Sequence, residues 1–360
     1  MKLKDDGSLL WKKTYGGSGD DLGNSLLQTP EGGFVLLGYS SSQDGDVNPT
    51  KGFHDNWILK VDKSGNIEWQ NTYGFEGHDH AYNVISTTDG GYFFNGFLDV
   101  TASGGEGNDG RSASRNRHGV GEFWGILMDQ NGDTIWRRYF GGSSNDRSYD
   151  VVETDDGGFI MIGGSESTDF DITDNKGSYD FWMVRLASNG DKLWTKSLGG
   201  SEIDQGYGIT KTEDGNYIVV GDTRSTDGDV SALSGNADAW VVKFSPSGAI
   251  IWEKTYGGSG FDSAKSIIGL QNGNFAIVGN TRSSMDGFMN RGQNDAWIFI
   301  IDTNGNLKFN YIIGGSSLDF ANAILETQDN KLLIAGSTES NDMDILENKG
   351  SQDALLIKIK

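Results

Sequence analysis

The chain has four histidines, and all of them, His54, His78, His80 and His118, fall between residues 54 and 118. Imidazole changes charge near neutral pH and also ligates divalent metals, so such a grouping allows proton transfer or coordination. One reading joins His78, Asp79 and His80 to His54 or His118 around zinc or another divalent ion. Both rings of a His-Asp-His loop are expected to reach one ion only through a sharp bend, which counts against it. The same stretch holds Arg111, Arg115 and Arg117, the main basic island of an acidic chain. Arginines there could clamp uronate or sulfate groups bidentately, with a histidine or Tyr82 moving a proton, as a polysaccharide lyase requires. The plainer alternative is a glycine-rich loop whose arginines pair with surface acids.

A second pattern is a pair of alternate aspartates, repeated as Asp44/Asp46, Asp169/Asp171, Asp227/Asp229 and Asp342/Asp344. Such pairs could converge on calcium, a hard cation that takes about six to eight oxygens, and calcium is the one cofactor they suggest. No third aspartate and no closing glutamate follow at regular spacing. An Asx-turned, solvated loop is therefore the plainer expectation.

Composition removes several other chemistries. With 51 acidic against 29 basic side chains the formal charge is −22, which repels phosphate backbones and argues against nucleic-acid partners. Zero cysteines exclude disulfides, thiolate metal sites and thiol redox chemistry. No apolar run approaches a membrane span, and the opening MKLKDDGSLLW lacks a signal-peptide core, so membrane insertion is not expected. The G-x-G-x-x-G run from Gly105 to Gly110 opens no helix, so it does not read as a dinucleotide fingerprint.

The elements that must position these residues are set by a repeat. Trp11, Trp69, Trp136, Trp194, Trp252 and Phe309 mark one column, with separations of 58, 67, 58, 58 and 57 residues. Two columns are invariant: Gly7, Gly65, Gly132, Gly190, Gly248, Gly305, and Asp21, Asp79, Asp146, Asp204, Asp262, Asp319. The glycines sit between apolar runs, where a tight hairpin needs a positive φ. Each unit holds four short runs rich in β-branched and aromatic residues, such as 22–29, 33–40, 55–62 and 67–73. The second run is apolar on both faces, as in a sheet packed between sheets. The first carries one small residue per unit (Gly23, Ala81, Ser148, Gly206, Ala264, Ala321), as strands crowding a central axis require.

The runs therefore read as strands A to D, with A innermost, of a six-bladed β-propeller with four antiparallel strands per blade. It is expected to be a single domain over 1–360, with units near 16–73, 74–140, 141–198, 199–256, 257–313, and 314–360 plus 1–15. Lys2-Leu3-Lys4 matches the end of a C strand, and the chain stops at Lys358-Ile359-Lys360 in the same register. The N-terminal strand 9–15 is thus expected to complete the last blade and leave no open edge.

The phrases T-x-D-G-G-F-V-L-L-G and D-x-W-I-L-K-V-D-K-S-G-N-I-E-W, which repeat over the whole chain, resemble the propeller repeats of secreted and cell-surface proteins of Bacteroidota. They are more distantly similar to kelch repeats and to the tryptophan-docking repeats of quinoprotein propellers. The resemblance implies a propeller, an exported source and a longer parent protein with a C-terminal sorting domain; it implies no single activity.

Loops A to B and C to D are tight, whereas loops B to C and D to A are longer, and alternating strands place both long sets on one face. Function is expected there. The six-fold aspartate column is expected to accept backbone N–H groups, and the second tryptophan column (Trp57, Trp124, Trp182, Trp240, Trp297) to pack the blades. A function that is not six-fold must lie where the repeat is broken, in blades 1 and 2. The reading that follows is a monomeric, non-catalytic binding or scaffold domain that engages a polysaccharide or protein ligand on the long-loop face. The alternative is a lyase-like enzyme using the Arg/His cluster.

Overall fold

The four runs named for the first unit become strands within a residue of where the repeat places them, whereas the N-terminal strand expected over 9–15 spans only Leu9–Trp11. The computed structural model describes residues 1–111, 118–285, 287 and 289–359. β1 (Lys2–Leu3) pairs with β2 (Leu9–Trp11). The first blade is β3 (Asp21–Gln28), β4 (Phe34–Ser40), β5 (Asp55–Val61) and β6 (Ile67–Tyr73), hydrogen-bonded in that order. The second is β7 (His80–Ser86), β8 (Tyr92–Leu98), β9 (Glu122–Met128) and β10 (Thr134–Phe140). The third is β11 (Asp146–Glu153), β12 (Phe159–Ser165), β13 (Asp180–Leu186) and β14 (Lys192–Leu198). The fourth is β15 (Asp204–Lys211), β16 (Tyr217–Thr223), β17 (Asp238–Phe244) and β18 (Ile250–Tyr256). The fifth is β19 (Asp262–Gly269), β20 (Phe275–Thr281), β21 (Asp295–Ile301) and β22 (Leu307–Ile313). The last holds β23 (Asp319–Glu326), β24 (Leu332–Thr338) and β25 (Asp353–Ile359). The chain is a six-bladed β-propeller of antiparallel sheets, and its one helix among the described residues is α1 (Val100–Ser103).

Its packing forms two compact units. One comprises Met1–Met161, Ser167–Thr173 and Val184–Thr195; the other comprises Ile162–Glu166, Asp174–Met183 and Lys196–Lys360. In the first unit the A strands β3, β7 and β11 lie side by side. Asn24 Nδ2 donates to the Ala81 carbonyl at 2.8 Å, and Ser25 Oγ donates to Asn83 Oδ1 at 2.7 Å. In the second unit β15, β19 and β23 pack in the same manner. The small-residue column is where the A strands crowd one another. Directly after it the register slips by one residue, at Gly23/Ser25, Ala81/Asn83, Gly206/Gly208, Ala264/Ser266 and Ala321/Ala323. Such bulges add twist.

The middle strands β8, β12, β13, β16, β17 and β20 are buried at every position, which matches their two-sided apolar character. Trp57, Trp124, Trp182, Trp240 and Trp297 are all buried. The turn glycines hold the expected left-handed backbone: Gly65 has φ +78° and donates its N–H to the Asp62 carbonyl at 2.9 Å.

The β1–β2 ladder pairs Lys2 with Trp11, in the register in which β5 and β6 pair Lys60 with Trp69. The N-terminal segment is thus the end of a C–D hairpin. Among the described residues β2 pairs with β1, and the last sheet has the three strands β23, β24 and β25; closure of that sheet by the N-terminal strand is not shown.

Candidate functional site

Each long-loop corner is shaped by the aspartate that opens strand A. Asp79 Oδ2 accepts the N–H of Phe75 at 2.8 Å and Oδ1 that of Asp99 at 2.8 Å. Asp204 accepts the Gly200 N–H at 2.7 Å together with the hydroxyls of Thr223 and Ser225. The same residue ties the corner to the preceding C strand, because the Asp79 N–H donates to the His54 carbonyl at 2.8 Å. A short parallel bridge results between the residues ahead of these two strands. It pairs His54 with His78, and then Gly121 with Asn145, Tyr179 with Ile203, Ala237 with Phe261, and Asn294 with Leu318.

At the first corner the bridge brings three histidines together. Nδ1 of His54 and Nδ1 of His78 are 2.9 Å apart. His80 completes the group: each of the three offers one ring nitrogen, and these lie within 4.8 Å of one another. Among the described residues this is the only set of three or more His, Asp or Glu side chains placed to hold a metal ion. The sharp bend expected of a His-Asp-His segment is not needed. The segment runs extended into β7, so His78 and His80, two apart, share a face, while Asp79 turns inward and is fully buried.

Neighbouring rings hold the imidazoles. Tyr39 stacks on His80 with centroids 4.0 Å apart and planes 7° apart, and meets His54 edge-on at 5.2 Å. Phe53, 70% exposed, stacks on the exposed His78 at 5.1 Å. Burial, reinforced by His54, His78 and Arg147, pushes the His80 imidazole down to about 4. It is therefore neutral at neutral pH, with a lone pair to give. Burial pushes the Tyr82 hydroxyl up to about 12, which withdraws it as a base at neutral pH. Its ring packs on Tyr149 and Phe97, and Arg147 lies over the Phe97 ring at 4.9 Å.

The other candidates go elsewhere. Arg111 pairs with Asp191, in the turn between β13 and β14, at 2.8 Å, so it is directed away from the histidines. The segment leading to it lies along the outer strand β10. Asp109 accepts from Arg137 Nη2 at 2.8 Å, the Asp109 N–H donates to the Arg137 carbonyl, and Tyr139 donates to the Gly105 carbonyl. The insertion thus covers a sheet edge. Arg115 and Arg117 lie outside the described residues. His118 stands 3.3 Å from the buried Glu122 carboxyl and packs edge-on against Tyr139, at a different corner.

The alternate aspartates clamp glycine-rich corners. Asp44 accepts the Ser18 N–H and Asp46 that of Gly16. Asp169 and Asp171 take Ser143 and Gly141, Asp227 and Asp229 take Ser201 and Gly199, and Asp342 and Asp344 take Ser316 and Gly314. Asp171, Asp229 and Asp344 also pair with Lys192, Lys176 and Arg291. Backbone N–H groups and cations thus engage these carboxylates.

Sequence reasoning passed over Tyr39, Phe53 and Arg147. The signal was present in positions that vary between blades: Tyr39 stands where later blades have Phe97, Gly164, Asp222, Asn280 and Ser337, and Arg147, in the third blade, stands at the position of His80.

No family model matches the chain, and no curated protein does. Solved β-propeller structures resemble it. A glucose dehydrogenase is 10% identical, with 94% of this chain and 96% of that one covered and a TM-score of 0.47. The WD40 domain of Neurospora crassa Pan2 is 9% identical (87% and 85% covered, TM-score 0.45), and BamB from Moraxella catarrhalis 13% identical (87% and 82%, TM-score 0.40). These likenesses are too remote to bear on activity. No helix among the described residues is long and apolar enough to cross a membrane.

Proposed function

We propose that the chain is a non-catalytic binding domain that engages a glycan through the long-loop corner between its first two blades. The observation that carries this is the exposed Phe53–His78 ring stack, backed by Tyr39 and His80, at the one corner where the bridge residues are both histidine. Flat rings presented to solvent on a rigid scaffold give sugar faces an apolar platform at little entropic cost. Arg147, exposed beside the cluster, adds a positive charge suited to acidic sugars on a chain that is otherwise strongly acidic. A secreted or cell-surface location, as the repeat phrasing implies, belongs to the same reading.

Electrophoresis through native gels containing neutral, uronate-rich or sulfated polysaccharide, each stained for clearing, tests it. Retardation without clearing is the expected result. Cleared tracks would make the protein an enzyme, and free migration in every gel would leave a protein ligand in the glycan's place.

A further inference from the structure

We propose that His54, His78 and His80 bind a divalent transition-metal ion of the zinc, nickel and cobalt class, joining the C strand of the first blade to the A strand of the second. This does not depend on what the face binds. Imidazole nitrogen suits these ions and not calcium or magnesium, which take oxygen.

Four observations converge. First, two nitrogens held at about 2.0–2.1 Å from one ion are separated by about 2.9 Å at a right angle and about 3.4 Å at the tetrahedral angle; the His54 and His78 Nδ1 atoms, 2.9 Å apart and in hydrogen-bond contact, are within a few tenths of an ångström of that range. Second, the rings are inclined to one another, by 44° (His54/His78), 70° (His54/His80) and 84° (His78/His80), so they do not stack face to face. Third, Nε2 of His80 is buried and has no hydrogen-bonding partner among the described residues. An orphan polar atom of this kind is destabilising, and coordination within the cluster offers the imidazole a partner.

The fourth comes from the repeat, which serves as an internal control. The bridge needs only backbone, and at the other corners it joins pairs such as Ala237/Phe261 and Asn294/Leu318. The place of His80 is taken by Arg147, Gln205, Ser263 and Phe320. Nothing in the blade geometry calls for imidazole at all three places, yet three of the chain's four histidines occupy them. Stacking by Tyr39 and Phe53 pre-orients two of the rings, as sites with a fixed ligand geometry require. Because His78 is exposed, the remaining coordination positions open to solvent.

Chelator-treated full-length protein titrated with Zn²⁺, Ni²⁺, Co²⁺ and Ca²⁺ by calorimetry tests this. One transition ion per chain is expected, with a Kd in the micromolar range or below, and no heat from Ca²⁺. His78→Ala, at an exposed position that leaves the fold intact, should weaken binding about tenfold or more, and His54→Gln should do the same. His118→Ala should leave it unchanged. The Co²⁺ form should show visible d–d bands that His80→Gln abolishes. Each variant's metal-free Tm checks that it folds. Absence of stoichiometric binding, or affinity in the His78→Ala and His54→Gln proteins equal to the parent's, would overturn the proposal.

Discussion

His54 and His78 face each other across a parallel bridge whose backbone counterpart recurs at four further corners, and only at this one does the bridge carry two imidazoles. The scaffold sets the contact, while the side chains placed on it decide what the corner can do. That separation of labour makes structural and functional substitutions distinguishable.

The corner carboxylates give a pH dependence. Burial is the main cause that pushes Asp180 up to about 7, with the nearby Asp204 charge adding to it, and burial likewise pushes Asp295 up to about 6. Such a group binds its proton more tightly folded than unfolded. Its contribution is fully present below the unfolded value near 3.8 and is lost as pH rises through the folded value. His80, pushed down, works in the opposite sense, so the measurement is a difference. Asp180→Asn is expected to melt above the parent at pH 8, with the offset narrowing as pH falls and closing only below about pH 4, by calorimetry; equal offsets at pH 8 and pH 4 would contradict this.

Gly199 separates Asp180 from Asp204. A Cβ there would lie 2.5 Å from Asp204 Oδ2 and 2.6 Å from Asp180 Oδ1. Gly199→Ala should therefore destabilise by about 1–3 kcal/mol, read as a lower urea midpoint, because the Asp204 carboxylate cannot yield without breaking its bonds to the Gly200 N–H and the Thr223 and Ser225 hydroxyls. An unchanged midpoint would show that the corner relaxes.

Trp240 is fully buried, packs against Phe181 with centroids 4.7 Å apart, and donates Nε1 to Glu253 at 2.8 Å. Its replacement by alanine should cost about 3–5 kcal/mol in denaturant unfolding and leave ligand binding by the folded fraction intact. Loss of binding in folded protein would instead make this column part of a recognition surface.

Much of the fold was legible because six copies of one phrase average out local ambiguity. Columns such as Gly65 and Asp79 identify the turns and corners, and the small residues at Ala81 and Ala264 single out the crowded strand. The site was legible in part. Histidine grouping was visible, but the partition among His54, His78, His80 and His118 depends on strand phase and on a bridge between residues 24 apart, neither of which spacing reveals. The place of Arg111 was not legible for a related reason: its segment follows the outer edge of the second blade to reach Asp191, and periodicity carries no information about the path of an insertion. The N–H partners of the aspartate pairs come from a different loop, so spacing does not reveal them.

Glycan binding at the Phe53–His78 corner is tested by the mobility of the parent and of Phe53→Ala, side by side, in native gels containing uronate-rich polysaccharide. Phe53 is 70% exposed, so its removal should leave the Tm unchanged. The parent is expected to be retarded without clearing the polymer, and Phe53→Ala to lose most of that retardation. Equal retardation of both proteins, or a cleared track behind the parent, would contradict it.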